Sequence, residues 1–428
     1  MRIAVIGAGW AGLACAVEAT RAGHHVLLFD AARTAGGRAR RIEGDGDGTS
    51  PGPPLDNGQH ILIGAYRETL SLMRTVGVEP RDVLLRLPLS LRRPDGSGLA
   101  VPAGWPAPLD LLAGIATAGG WTWRDKASLL HRAWNWRRAG FRCADDATVG
   151  DLCRGLAPRA MDELIDPLCV SALNTPSSRA SGQVFLTVLR DALFGEAGGA
   201  DLLLPRVDLG ALLPDGALAW LAKHGATLRL GTRVAALERA GTDAARWRIA
   251  GADVDRVVLA VAPWDAVRLL RGSAIEAPGW IAAAESLRFE AIATVYLEGA
   301  SPLAAPLLAL ASSPDAPAQF ALDRTGLGGP HGRLALVVSA SDASRDVLER
   351  QVLQQARSAL GQPALRVLRT IVEKRATFAC TPGLRRPGSE VTDTIGACGD
   401  YVDGPYPATL EGAVRSGIAA ARNVPVTG

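Results

Sequence analysis

The sequence predicts an α/β fold in which one domain is assembled from separate stretches of chain and carries an inserted α+β domain. Three observations predict it: a strand–glycine turn–helix–strand unit near the N-terminus, a strand followed by Gly-Asp and a helix near the C-terminus, and short apolar strands between them. The chain has 428 residues, 48% of them hydrophobic and 21% charged. That composition supports two or three domain-sized units with large cores.

The N-terminal unit has the glycine spacing of a dinucleotide-binding turn. Gly7 permits the tight turn, Gly9 lets the backbone approach a pyrophosphate, and Gly12 lets the following helix pack on the sheet. The free N–H groups at the start of that helix favour a phosphate. A carboxylate at Asp30, which closes the second strand, favours a ribose diol and indicates FAD or NAD rather than NADP. The predicted cofactor-binding residues of this unit are Gly7, Gly9, Trp10, Ala11, Gly12 and Asp30.

Two further segments favour FAD. Gly37 and Arg38 belong to a Gly-Gly-Arg run after the second strand, and Asp400 stands between a strand and a helix near the C-terminus. With these motifs the chain resembles the amine oxidase and carotenoid desaturase flavoproteins. The resemblance implies that Gly37 and Arg38 run along FAD, with Arg38 near its phosphates. It also implies that Asp400 contacts the ribityl or pyrophosphate region and that the backbone of Val234 contacts adenine.

The same resemblance implies the domain organisation. A discontinuous Rossmann-like FAD-binding domain would be built from 1–65, 205–265 and 385–428. A mixed α+β substrate-binding domain would occupy 66–204, largely helical, and 266–384, with strands at 291–297 and 333–339 and a helix around 345–360. The stretch 44–54 is rich in Gly, Asp and Pro and predicts a mobile loop.

Two narrower segments indicate the substrate. Residues 55–61 read LDNGQHI, where this superfamily passes the flavin ring, and residues 406–413 read YPATLEGA. Both resemble the hydroxysqualene dehydroxylases of bacterial squalene and hopanoid synthesis, which implies reduction of hydroxysqualene to squalene by reduced FAD. That reaction needs a hydride donor, a proton for the leaving oxygen and a long apolar pocket. The candidate catalytic residues are His60 as first choice for the proton donor, then Tyr406 and Glu411.

Other functions stay open on the residues alone. Carotenoid-type desaturation needs the same cofactor and also handles a long isoprenoid. Amine oxidation usually needs an aromatic cage, which a chain with 5% aromatic residues offers poorly, although Lys374 is a candidate for the lysine near flavin N5 in amine oxidases. A non-enzymatic prenyl-binding protein, like the GDP dissociation inhibitors, would have degraded FAD motifs.

Charge and composition limit the partners. The formal net charge of +3 is too balanced for nucleic-acid binding, and no metal site is expected. No apolar stretch reaches the ~20 residues of a membrane span. The six cysteines contain no C-x-x-C pair, so reduced core thiols in a cytoplasmic protein are expected. No separate nicotinamide-binding motif is visible, so a free reductant or a partner would supply the electrons.

Tryptophan is concentrated in one region. Five of the ten tryptophans fall within 105–136, and residues 121–142 carry six basic side chains against one acid. Tryptophan together with arginine suits a helix on anionic lipid, which predicts a peripheral position on the inner face of the membrane. Packing of this helix on its own domain is the alternative. The predicted exposed face consists of Trp123, Ala127, Leu130, Trp134 and Phe141.

Overall fold

A computed structural model of the chain describes residues 1–44, 52–105, 108–241 and 243–424. Most of the loop predicted at 44–54 lies outside the described residues. The strands lie, in chain order, at β1 Arg2–Ile6, β2 His25–Asp30, β3 Arg41–Gly44, β4 Gly52–Asp56, β5 Leu62–Ile63, β6 Leu84–Leu87, β7 Ser90–Arg92, β8 Gly98–Ala100, β9 Leu202–Pro205, β10 Thr227–Leu230, β11 Glu238–Ala240, β12 Asp243–Ile249, β13 Ala252–Val254, β14 Arg256–Leu259, β15 Phe289–Glu298, β16 Leu307–Ala309, β17 Phe320–Asp323, β18 Arg333–Ser339, β19 Arg366–Phe378, β20 Glu390–Thr392 and β21 Ile395–Ala397.

The helices alternate with these strands. They lie at α1 Trp10–Arg21, α2 Arg67–Thr75, α3 Pro80–Val83, α4 Leu109–Thr117, α5 Trp123–Arg138, α6 Val149–Leu152, α7 Pro158–Ala160, α8 Asp166–Leu173, α9 Gly182–Leu193, α10 Leu209–Leu212, α11 Pro214–Lys223, α12 Pro263–Gly272, α13 Pro278–Ser286, α14 Arg345–Ala359 and α15 Leu410–Arg422. One turn of π-helix, Met161–Ile165, leads directly into α8.

A six-stranded sheet carries the glycine turn. Its strand order is β10-β2-β1-β14-β21-β20, and all neighbours run parallel except the edge strand β20. Parallel strands are covered on both faces and therefore need continuous apolar sequence, which β1 and β14 supply with fully buried Val5 and Val258. The six strands come from the three stretches assigned above to the FAD-binding domain. The boundaries of those stretches remain a prediction.

The first and last helices pack against each other beside this sheet. A Cβ on Gly417 of α15 would lie 2.1 Å from the carbonyl oxygen of Ala11 in α1, so this approach requires glycine. Buried side chains from both helices, including Leu13 and Val414, share one core cluster with the sheet. The two ends of the chain therefore meet where the sheet begins.

A second sheet separates two further cores. Its antiparallel order is β16-β17-β18-β15-β19. One face packs against α14 through residues such as Val295 and Val352, and the opposite face packs against the helical segment through Tyr296 and Phe185. The strands predicted at 291–297 and 333–339 and the helix predicted at 345–360 are confirmed by β15, β18 and α14.

The tryptophan-rich helix is confirmed as α5, but it ends before Phe141, the last residue of the predicted face. Thr122 and Asp125 cap its start reciprocally, and the helix ends at Arg138. Phe141 lies beyond that end, is buried and has a φ of 56°, so its assignment to the exposed face is wrong. No helix within the described ranges is both long and apolar enough to cross a membrane.

Candidate functional site

The three glycines of the turn have different physical requirements. A Cβ on Gly7, whose φ is 116°, would lie 2.4 Å from the carbonyl oxygen of Ala260. A Cβ on Gly12 would lie 1.9 Å from the carbonyl oxygen of Gly7, so the fold itself excludes side chains at both positions. A Cβ on Gly9 would meet only the Cα of Gly37, at 3.8 Å. Gly9 therefore leaves open a cradle that protein atoms do not fill.

Backbone donors line this cradle. The N-terminus of α1 presents the N–H groups of Trp10, Ala11 and Gly12, which have no partner in the preceding turn of an α-helix. These groups and the positive end of the helix dipole favour an anion such as a pyrophosphate. The indole of Trp10 is buried and donates a hydrogen bond to the Ala39 carbonyl over 3.0 Å. Trp10 thus ties α1 to the segment that follows the Gly-Gly-Arg run.

Asp30 closes the turn and faces partly outward. Its Oδ2 accepts a hydrogen bond from the Ala8 N–H over 2.6 Å, and its Oδ1 accepts one from the Ala32 N–H over 2.7 Å. Each oxygen retains acceptor capacity beyond these bonds. The carboxylate can therefore both fix the glycine turn and accept a ribose hydroxyl, as the sequence predicts.

Arg38 and Asp400 are brought together from opposite ends of the chain. An Arg38 Nη2 donates to Asp400 Oδ1 in a half-buried ion pair, and Nη1 donates to the Ala376 carbonyl over 2.5 Å. Gly37 lies beside Gly9, with φ of 63°, which explains the glycine at this position. The N-terminal and C-terminal motifs therefore form one site next to the cradle.

Val234 lies beside the end of β2 rather than in a strand. It is buried against Phe29 and Leu237, and its own backbone makes no hydrogen bond with the residues that the structure describes. Buried backbone polar groups normally have a partner. Free backbone groups here fit the predicted contact with adenine. The cradle, the paired Arg38 and the free backbone at Val234 together fit a dinucleotide such as FAD.

His60 is half-buried, and neither of its ring nitrogens forms a hydrogen bond with the described residues. Burial, and then the positive charge of Arg38, lower the pKa of His60 to about 4. The imidazole is therefore neutral at pH 7. A neutral imidazole can hold a hydroxyl by a hydrogen bond, but it is a poor proton donor, which argues against the general-acid role expected from the sequence.

Asp56 and Tyr296 hold the segment that carries His60, and sequence reasoning assigned no role to either. The Tyr296 hydroxyl donates to the Asp56 carbonyl over 2.9 Å and accepts from Gln59 Nε2 over 2.7 Å. Asp56 Oδ1 accepts from the Leu209 N–H over 2.8 Å. Burial raises the pKa of Asp56 to about 6. Asp56 follows an apolar residue inside LDNGQHI, and this was the available signal for a buried acid.

Tyr406 lies between α9 and α15. Its hydroxyl donates to Asp191 Oδ2 over 2.7 Å, and the Arg415 guanidinium lies 4.7 Å from the ring centroid. Burial, together with the hydrogen bond to Asp191, raises the pKa of Tyr406 to about 12. The Tyr406 hydroxyl therefore donates its proton to the carboxylate of Asp191 in α9, which makes it a weaker candidate for the proton donor.

Glu411 is fully buried, and its carboxylate is hydrogen-bonded within the protein. Its oxygens accept from the N–H groups of Glu68 and Thr69 at the start of α2, from the Thr69 hydroxyl and from Arg415 Nε. A carboxylate at a helix N-terminus stabilises that helix. These partners occupy both carboxylate oxygens of Glu411 and link α15 to α2, so they fit a structural contact better than the catalytic role expected from the sequence.

The neighbouring β19 residues Glu373 and Lys374 differ in exposure and in contacts. Lys374 is exposed, whereas the neighbouring Glu373 Oε2 accepts a hydrogen bond from Asn57 Nδ2 over 3.2 Å. Adjacent side chains of a strand point to opposite faces. The segment that carries His60 is therefore contacted by a carboxylate of this strand, and not by the amine of an amine oxidase-like lysine.

A groove of about 1080 Å³ opens between β3, β19 and the start of α14. Arg40, Arg41, Arg345 and Arg369 line it together with Glu349. This polar lining does not suit a long apolar chain. Among the residues that the structure describes, no cluster of His, Cys, Asp and Glu could hold a metal ion.

A family model matches nearly the whole chain. The family is described as flavin containing amine oxidoreductase, and the match covers residues 10–425. The chain is 29% identical over 440 residues to a hydroxysqualene dehydroxylase of Rhodopseudomonas palustris, which covers 97% of this chain and 96% of the relative. It is 39% identical to a zeta-carotene desaturase of Synechocystis over only 80 residues, 18% of this chain and 15% of that relative.

Solved structures show the same fold. An oxidoreductase from Methanosarcina mazei superposes with a TM-score of 0.74 at 16% identity, covering 99% of this chain and 100% of that one. This likeness confirms the α/β fold, and the match to a flavin-containing family supports its assignment as a Rossmann-like flavoprotein fold.

Proposed function

The chain belongs to the family of flavin containing amine oxidoreductases, and from that premise we propose that it reduces hydroxysqualene to squalene with FAD. The observation that carries the proposal is the end-to-end similarity to hydroxysqualene dehydroxylase, over 97% of the chain. The similarity to a carotenoid desaturase, at 18% of the chain, supports the alternative less. The family supplies the flavin and the oxidoreductase class. The substrate and the direction of the reaction are the proposal.

FAD would be held by the residues that the two chain ends bring together. The N–H groups at the start of α1 would bind its pyrophosphate, Asp30 a ribose, and the backbone of Val234 its adenine. The Arg38–Asp400 pair would lie next to them. When bound and reduced, the flavin supplies the hydride.

The substrate chain would lie between the second sheet and the helical segment. Half-buried apolar side chains there, among them Ile61, Leu168 and Val337, border the same core as Tyr296. An apolar lining with few polar groups suits an isoprenoid and excludes water. This region, rather than the arginine-lined groove, matches the chemistry of squalene.

His60 would hold the hydroxyl that leaves. Its ring nitrogens have no hydrogen-bond partner among the described residues, and the ring is neutral at pH 7 because its pKa is lowered to about 4. A neutral N–H orients the carbon–oxygen bond, and fully reduced FAD would supply two hydrogens, one as the hydride and one as the proton with which the hydroxyl leaves as water. An allylic oxygen that leaves as water creates a delocalised cation, which accepts a hydride more readily than an unactivated carbon.

Product analysis tests this proposal. Anaerobic protein with excess chemically reduced FAD is incubated with hydroxysqualene, and extracts are analysed by mass spectrometry. We expect squalene, and no squalene when FAD stays oxidised. Desaturated products from squalene or phytoene with oxidised enzyme would instead favour the carotenoid-type alternative. The electrons in the cell would come from a free reductant or a partner.

A further inference from the structure

Exposed large apolar side chains are concentrated on one part of the surface. Seven side chains of this kind are exposed within the described residues, and six of them fall in the short stretch 105–134, the seventh being Trp264 on α12. Trp123 is 80% exposed and Trp134 is 59% exposed. Concentrated apolar exposure of this kind marks an interaction surface. The six are Trp105, Leu109, Leu112, Trp123, Leu130 and Trp134.

Two helices present five of these six side chains, and Trp105 precedes the first of them. Lys126 of α5 donates a hydrogen bond over 2.6 Å to the carbonyl of Ala116 near the end of α4. Ile115 of α4 and Leu129 and Trp136 of α5 are buried in the same core. Because both helices bury one face in that core, their opposite faces lie on the outside of the same region. We call α4, α5 and Trp105 the tryptophan platform.

The platform is also basic. α5 carries five basic residues and a single acid, Asp125, whose carboxylate is occupied in capping the helix at Thr122. Arg124, Arg137 and Arg138 are exposed and form no ion pair with the residues the structure describes. Exposed tryptophan beside unpaired arginine is typical of the interface of an anionic bilayer.

We propose that the tryptophan platform docks on an anionic lipid bilayer. Its Trp and Leu side chains would enter the headgroup region, and its Arg side chains would bind lipid phosphates. A second copy is a poorer occupant, because a two-fold interface sets the same basic helix against itself. The docking is independent of the proposed function. Uptake of the isoprenoid from the bilayer through this contact rests on the proposed function.

Sedimentation with vesicles tests the apolar part. The holoenzyme is mixed with vesicles of phosphatidylglycerol and phosphatidylcholine in equal parts, and the bound fraction is measured. Replacing Trp123 and Trp134 by Ala should weaken binding by about tenfold or more, since each exposed ring loses its apolar burial. Trp264→Ala, an exposed tryptophan outside the platform, is the matched control and should bind like the wild type.

Salt and charge variants test the basic part. Each of Arg124→Gln, Arg137→Gln and Arg138→Gln should weaken binding by about fivefold on anionic vesicles, and much less on phosphatidylcholine alone. Binding should also fall as salt screens the charges. Bound FAD and circular dichroism verify that each variant is folded.

Two results would overturn the docking. One is wild-type binding by the folded double tryptophan variant. The other is a concentration-dependent dimer in sedimentation velocity that the same variant abolishes, which would assign the platform to a second copy. Failure of the enzyme to make squalene in detergent would contradict the proposed function and leave the vesicle result standing. Normal turnover in detergent, with turnover from vesicles lost in the double variant, would support uptake from the bilayer.

Discussion

The proposed nucleotide-binding half and the proposed substrate side of this molecule differ in how their sites are built. In the nucleotide-binding half, the site consists mostly of backbone groups and bare glycines, such as Gly9 facing Gly37 at van der Waals distance. On the substrate side, the site depends on side chains that come from both parts of the molecule, such as Asp56 of the first stretch held by Tyr296 of β15. A backbone site is encoded in a short local motif, whereas a side-chain site needs the whole tertiary structure.

That difference suggests where substitutions should separate folding from function. The cradle at Gly9 is open, so a new side chain there affects the ligand and spares the fold. On the substrate side, Asp56, Gln59 and Tyr296 are packed and hydrogen-bonded to one another, so substitutions at such positions change both stability and chemistry, whereas the unpaired His60 affects chemistry alone. The predictions below test that contrast, beginning with the largest effect.

Gly9→Val should abolish FAD binding while the protein stays folded. The new side chain would project into the cradle, where the nearest protein atom to a Cβ is 3.8 Å away. Flavin absorbance near ~450 nm measures the cofactor, and circular dichroism measures the fold. Gly279→Val, at a glycine with no neighbour within 4 Å of its Cβ, is the control and should retain FAD. Full FAD occupancy in Gly9→Val would break the contrast.

Gly12→Ala should behave differently from Gly9→Val. Its Cβ would lie 1.9 Å from the carbonyl oxygen of Gly7, so the turn itself must distort. We expect loss of soluble folded protein or a large fall in the melting temperature, measured by calorimetry without added FAD. A stable apoprotein with an unchanged melting temperature would show that packing does not require this glycine.

His60→Ala should lower turnover on the order of 10²-fold while FAD content stays normal, because a positioned hydrogen-bonding group is lost next to the reacting oxygen. His331→Ala, at an exposed loop position, is the control. Since the pKa of His60 is lowered to about 4, turnover should be level between about pH 5 and pH 8. A tenfold rise per unit of falling pH would instead indicate that the imidazolium is the proton donor.

Asp56→Asn should stabilise the apoprotein at pH 7 and not at pH 4. Burial raises the folded pKa to about 6 from 3.8. Between these values the unfolded state releases the proton first, so wild-type stability falls as pH rises and stays lower above pH 6. Removing the buried charge should therefore raise the free energy of unfolding by about 1–2 kcal/mol at pH 7. Urea unfolding of the wild type and the variant at pH 7 and pH 4 measures this difference in the free energy of unfolding. An equal difference at both pH values would contradict the raised pKa of Asp56.

The sequence allows a residue-by-residue prediction of the nucleotide site because its signals are local. Glycine spacing, Asp30 and the Gly-Gly-Arg run needed no tertiary information, and the structure joins Arg38 to Asp400 as one site. The catalytic candidates depended on which way side chains point. Glu411 turned out to bind the start of α2, and β19 directs Glu373 rather than Lys374 toward Asn57. Helix phase, strand alternation and burial decide such positions, and the motifs do not specify them.

The direction of the reaction is the central claim, and one single-turnover measurement tests it most directly. Enzyme with stoichiometric FAD is reduced anaerobically in D₂O and mixed with hydroxysqualene, while flavin absorbance and products are followed together. The account predicts one squalene per flavin reoxidised, with deuterium at the former carbinol carbon when transfer outruns exchange. Reduced enzyme that leaves hydroxysqualene unchanged, together with oxidised enzyme that desaturates squalene or phytoene, would contradict it.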